Sequence, residues 1–178
     1  MTTDQHATPV SGLDPLVARF EGPLVRYAAR ITGDVERARD VVQETFLALH
    51  RECANGDGIS AANGHCPAWL FTVCRRRALD VRRKEQRMLT MTPSEADIYQ
   101  ADTCLADEPV GQLEQRETAG QLLGLLAGLP DPQQEVVRLK FQNGLSYREI
   151  SEVTGLSVSN VGYLLHVAIK RLRELMVD

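Results

Sequence analysis

From Val161 to Met176 the apolar residues Val161, Leu164, Leu165, Ala168, Ile169, Leu172, Leu175 and Met176 recur at steps of three, one, three, one, three, three and one. That is the 3.6-residue repeat of a helix with one buried face, and it does not fit a strand. The same signature returns at Ala38, Val41, Val42, Thr45, Phe46 and Leu49, which marks a helix over 35–52. It returns again in the segment that starts at Pro67, where Leu70, Val73, Cys74, Ala78 and Val81 share a side of a helix over 67–87. No alternating strand pattern and no internal repeat is present, so the fold class is all-α.

Punctuation divides these helices. Asp14-Pro15 opens the first, as an N-cap followed by proline at the first helical position. Gly22-Pro23 is expected to interrupt it, and Gly33-Asp34 is a break with a fresh N-cap. Residues 54–66 are rich in Gly, Asn and Ser and read as a loop. A helix over 112–127 carries Leu122, Leu123, Leu125 and Leu126, and Leu129-Pro130-Asp131-Pro132 ends it and starts another from Gln133 to Gln142. Asn143-Gly144 closes that one. Ser146 with Glu149 is a capping box. Gly155 ends the short helix it opens, and Ser157 caps the last helix, which runs to Val177. A short capped helix, a glycine turn and a longer helix make a helix-turn-helix at Ser146–Thr154, Gly155–Leu156 and Ser157–Val177.

Charge is distributed in blocks. The net charge is −4, yet residues 68–87 hold seven basic and two acidic side chains, and residues 88–118 hold one basic and seven acidic. A cationic island suits phosphates, but an acidic chain as a whole binds DNA poorly by itself, since non-specific affinity is mostly electrostatic. Residues 88–111 lack periodicity, contain Pro93, Pro109 and Gly111, and read as a flexible acidic linker. Two small helical domains are therefore expected, over 13–87 and 112–178, joined by the linker 88–111.

Other functions find little support. No apolar run approaches the roughly 18 residues of a membrane span, and Met1 to Gly12 lacks the layout of a signal peptide, so a cytoplasmic protein without membrane insertion is expected. The cysteines at 53, 66, 74 and 104 match no zinc or redox spacing and read as free thiols. His50, Cys53, His65 and Cys66 would be the residues of a metal site, but their spacing is not one zinc commonly uses, so no metal and no cofactor is expected. Phosphate-binding glycine loops and HExxH signatures are absent, and the histidines at 6, 50, 65 and 166 have no nucleophile beside them. The chain does not read as an enzyme.

The segment LPDPQQEVVRLKFQNGLSYREISEVTGLSVSNV resembles the C-terminal DNA-binding region of sigma factors, with its Leu-Pro start, Gly-x-Ser-Tyr-x-Glu-Ile and Gly-x-Ser. Independently, RARDVVQETFLALHR resembles the family's polymerase-binding helix, and PAWLFTVCRRRALDVRRK the helix that follows it. With just two domains and a linker, the chain resembles the small extracytoplasmic-function (ECF) class over roughly residues 14–87 and 113–176.

That resemblance implies a promoter-specificity subunit. Asp40, Gln43, Glu44, Phe46 and Leu47 would dock on the coiled coil of the largest subunit of RNA polymerase core, with the flap as a further core contact. Arg75, Arg76, Arg82, Arg83 and Arg87 would hold the minus-ten promoter DNA, mainly through phosphates. Trp69 reads as core, on the side of Leu70 and Val73. The loop 54–66 sits where the family captures a flipped-out base, at a cost of a few kcal/mol that the pocket must recover. The linker would thread toward the RNA path. For the minus-thirty-five element the candidates are Ser157, Ser159, Asn160, Tyr163, His166 and Lys170. The class is often held inactive by an anti-sigma factor, which would cover the polymerase-binding face.

Two departures from the family stand out. Arg76 occupies a position that is usually Asn. The recognition helix offers Gly162, Leu164, Val167 and Ile169 where Lys or Arg is usual, and its cations come late, at Lys170, Arg171 and Arg173. Weak duplex binding by the isolated second domain is expected, because each lost phosphate contact weakens binding and flattens its salt dependence. A stand-alone helix-turn-helix regulator would not need the Asp40–Leu47 face. A sigma-like interaction module without promoter activity would tolerate the cation-poor helix.

Overall fold

A computed structural model describes residues 14–55, 66–90 and 124–176. Six helices are set out in it: α1 (Asp14–Thr32), α2 (Val35–Asn55), α3 (Cys66–Thr90), α4 (Asp131–Phe141), α5 (Tyr147–Thr154) and α6 (Val158–Leu175). The described residues contain no strand. Most of the 54–66 loop, nearly all of the linker, and residues 112–123 of the expected 112–127 helix lie outside the described residues; 124–127 are helical. The chain divides into two compact units between residues 96 and 97.

In the first unit α1, α2 and α3 pack on one another. The expected interruption at Gly22-Pro23 does not occur, and α1 runs unbroken through Pro23. Proline removes only the N–H aimed at the carbonyl of Arg19, an exposed residue. Burial of Phe20 before it and of Leu24, Tyr27 and Ala28 after it holds both halves in line. Gly33 then turns the chain with a φ of 75°, and the Asp34 carboxylate caps α2 by accepting the Arg37 N–H at 2.8 Å.

The core of this unit is Leu24 and Ala28 from α1, Ala38, Val41, Val42 and Leu49 from α2, and Leu70, Phe71, Cys74 and Ala78 from α3. The Phe71 ring meets Tyr27 edge-on at 5.3 Å. Thr45 is buried among them and donates its hydroxyl to the Val41 carbonyl at 2.7 Å, so it brings no unpaired polar group into the core. Trp69 and Val73 are half-buried, at the edge of the core rather than within it. Both long helices exceed the expected spans: α2 continues three residues past 52 and α3 three past 87.

In the second unit α4, α5 and α6 pack together, with Val136, Leu139, Ile150, Val153, Val161, Leu165 and Ala168 at the centre. Pro130 precedes α4 and Pro132 lies in its first turn. Ser146 and Glu149 form the reciprocal capping box: the Ser146 hydroxyl accepts the Glu149 N–H at 3.3 Å, and the Glu149 carboxylate accepts the Ser146 N–H at 2.7 Å. Gly155 has a φ of 76°, a left-handed conformation that a side chain would strain, and it ends α5. Ser157 accepts the Asn160 N–H at 3.2 Å and starts α6.

Candidate functional site

The candidate residues fall on three helices, α2 and α3 of the first unit and α6 of the second. On α2, Asp40, Gln43, Glu44 and Leu47 are spaced i, i+3, i+4, i+7 and all are exposed, so they share the side turned from the core. Leu47 leaves half its surface open, which makes it an apolar contact waiting beside two carboxylates. Phe46 differs: it is half-buried at the margin between this face and the core.

On α3 the cations are not equivalent. Arg76, Arg82, Arg83 and Arg87 are exposed, and Arg75 is half-buried. Asp80 pairs with Arg83 at 3.3 Å, one turn away. Arg77, outside the set expected from the sequence, reaches across to α2 and donates to the Glu44 carboxylate. Near the other end of α3, Glu85 pairs with Arg37 of α2. The cationic side of α3 is thus partly spent on fixing α2 against it. No local signal in the sequence announces these cross-helix pairs, since Glu44 and Arg77 are 33 residues apart.

Three of the four cysteines lie among the described residues, all of them in this unit. Cys74 is fully buried, and burial pushes its thiol up to about 12, against a smaller opposite pull from the Thr45 hydroxyl. Cys66 is buried and Cys53 is exposed. Among the described residues no three His, Cys, Asp or Glu side chains gather as a metal site would require. No described helix is long and apolar enough to cross a membrane.

On the second unit Ser159, Asn160, Tyr163, His166 and Lys170 are all exposed, and 159, 163, 166 and 170 follow one stripe along α6. Tyr163 exposes 65% of its surface, so its ring is offered outward rather than packed. The Ser157 hydroxyl is engaged as the cap of α6, where it accepts the Asn160 N–H. Beside the stripe, a side chain on Gly162 would meet the Tyr147 ring at 3.7 Å, an ordinary contact. The Lys140 ammonium lies 5.5 Å over the same ring and donates to the Leu145 carbonyl at 3.2 Å. Leu164, Val167 and Ile169, which stand where the family usually carries Lys or Arg, are half-buried along the flanks of α6. The early turns of this helix therefore present hydroxyl, amide, phenol and imidazole groups rather than charge.

Known proteins carry the same two units. A family model for sigma-70 region 2 matches residues 16–88, and one for sigma-70, region 4 matches residues 119–172. The ECF RNA polymerase sigma factor SigL of Mycobacterium tuberculosis is 32% identical over 150 residues, covering 84% of this chain and 80% of its own. The chain belongs to the ECF RNA polymerase sigma factors. Another relative of this sigma factor, SigM of Bacillus subtilis, is 27% identical over 163 residues, 92% of this chain and 94% of SigM. Its fold is also that of the sigma factor RpoE from Bartonella quintana, solved in complex with the anti-sigma factor NepR. The TM-score is 0.68 at 22% identity, over 94% of this chain and 98% of RpoE. The region 2 match spans α1 to α3 of the sigma factor, and the region 4 match spans α4, α5 and most of α6.

Proposed function

We propose that this sigma factor directs RNA polymerase core to a two-part promoter and helps to melt it, with the labour split between its units. The first unit docks on core through Asp40, Gln43, Glu44 and Leu47, with Phe46 supporting them from the margin of the face. Two carboxylates, an amide and an apolar tip on one helix side suit a basic coiled coil with an apolar seam. Arg75, Arg76, Arg82, Arg83 and Arg87 hold minus-ten DNA, and residues 54–66 take the flipped base.

The second unit reads the minus-thirty-five element with Ser159, Asn160, Tyr163, His166 and Lys170, while Ser157 caps the helix that carries them. An Asn side chain pairs bidentately with adenine, and Ser or Tyr holds phosphates. The sigma factor is not itself a catalyst and works in the cytoplasm. An anti-sigma factor covering the Asp40–Leu47 face would silence it; the similar RpoE of Bartonella quintana is solved in complex with an anti-sigma factor.

The observation that carries this reading is the exposed i, i+3, i+4, i+7 face on α2 within a region 2 match. Affinity-tagged protein from growing cells should bring down the largest polymerase subunit. Leu47→Asp and Asp40→Lys, both at exposed positions, should lose it while the protein stays folded. A stand-alone regulator would purify without polymerase, and neither variant would change that.

A further inference from the structure

The two ion pairs between α2 and α3 fix more than the site they flank. Arg37 pairs with Glu85 and Glu44 with Arg77, so the helices run antiparallel, and about one residue forward along α2 matches one residue back along α3. Nine residues beyond Glu44 is Cys53, and nine residues before Arg77 is Ala68, two positions from Cys66. At 1.5 Å per residue the cysteines differ in height by about 3 Å. Cys53 follows the buried Leu49 by four residues and Cys66 precedes the buried Leu70 by four, so each lies on the helix side that carries a core residue; Cys66 is buried there, and Cys53, in the last turn of α2, is exposed. The thiols are close enough to affect each other: burial pushes the Cys66 thiol up, and nearby Cys53 adds to the rise.

We propose that Cys53 and Cys66 are a peroxide-responsive dithiol, and that its oxidation to a disulfide staples the end of α2 to the start of α3. The exposed Cys53 thiol is the group a hydroperoxide can reach. Its sulfur attacks the O–O bond and becomes a sulfenic acid, releasing one water from hydrogen peroxide. The Cys66 sulfur then attacks the sulfenic sulfur and expels a second water. Two thiols lose two protons and two electrons, and one peroxide becomes two waters. Transient, sensing disulfides of this kind are the sort a reducing compartment permits. The raised Cys66 thiol makes the second step slow at neutral pH and faster as pH rises. Cys74, buried in the same unit, is shielded from the reagent. If residues 54–66 capture a promoter base, as proposed above, the staple ties the two ends of that segment and slows promoter opening.

The test treats reduced full-length protein with hydrogen peroxide and maps cross-linked peptides by mass spectrometry without reductant. The expected product is an intramolecular Cys53–Cys66 link that dithiothreitol reverses and that C53S cannot form. In C66A, Cys53 should instead accumulate as sulfenic acid. A link from Cys53 to Cys104, a disulfide-bonded dimer, or Cys53 driven to sulfinic acid with Cys66 still a thiol would overturn the proposal. Oxidised protein, freed of peroxide and then added to core polymerase, should open promoter DNA several-fold more slowly than reduced protein, with no such drop for C53S. A fully stapled protein that opens DNA normally keeps the disulfide and refutes the base-capture role of 54–66.

Discussion

Arg77 of α3 and Glu44 of α2 form an ion pair that joins the face assigned to polymerase to the helix assigned to DNA. Glu44 is 61% exposed in this pair, so its worth to folding is small, about 0–1 kcal/mol. Glu44→Ala should therefore leave the melting temperature nearly unchanged while reducing affinity for core polymerase about tenfold or more. Arg77→Gln should keep the fold and cost less, because Glu44 stays charged but is no longer steered. Melting and core binding measured on the same preparations check this. A large fall in melting temperature with Glu44→Ala would assign that residue to the fold instead.

Gly162 lies where the family usually places a cation, and space is open there, since a Cβ would only touch the Tyr147 ring. Gly162→Lys should tighten binding to minus-thirty-five duplex and steepen its salt dependence by about one phosphate contact. It should also stabilise the second unit by about 0.5–1 kcal/mol, as glycine inside a helix is unfavourable. Fluorescence anisotropy across a salt series reads the first effect and thermal melting the second.

Asn160 and Tyr163 are exposed on the recognition helix, so truncating them opens no cavity. Asn160→Ala should cost about 1–3 kcal/mol against the preferred promoter and relax specificity at one base pair. Tyr163→Ala should weaken binding more evenly across sequences if its hydroxyl holds a phosphate. Binding to a panel of single-base promoter variants separates these patterns.

Cys74 gives the first unit a pH dependence at the alkaline end. Its thiol is held at about 12 in the folded state, above the ordinary 9.0. The folded protein binds this proton more tightly than the unfolded chain does. The contribution is complete below pH about 9 and is lost as pH climbs toward about 12, with a slope on the order of 1 kcal/mol per pH unit. Urea unfolding should show the wild type losing stability more steeply than Cys74→Val across that window. Parallel profiles would mean the thiol does not titrate with unfolding.

Much of this architecture can be read from local sequence, because caps and periodicity are local physics. Ser146, Glu149, Gly155 and Ser157 announce the helix-turn-helix, and all four take the expected cap positions. The exposed stripe from Ser159 to Lys170 follows from helix geometry once that start is fixed. Long-range relations could not be read in this way. Pro23 looks like a break until Phe20 and Leu24 are seen buried on either side of it. Arg77 looks like one more cation of the basic island until Glu44 appears opposite it. Arg138 looks like a surface residue by type, yet it is buried in α4. Phe46 belongs by period to the core and by resemblance to the polymerase face, and it sits half-buried between the two.

Promoter-directed transcription with purified components tests the account most directly. Core RNA polymerase mixed with this sigma factor should yield run-off transcripts from a small set of templates in a genomic promoter library. Those templates should share two spaced motifs, and Glu44→Ala should lower the signal when sigma factor is limiting. Output no different from core alone on every template would contradict the account.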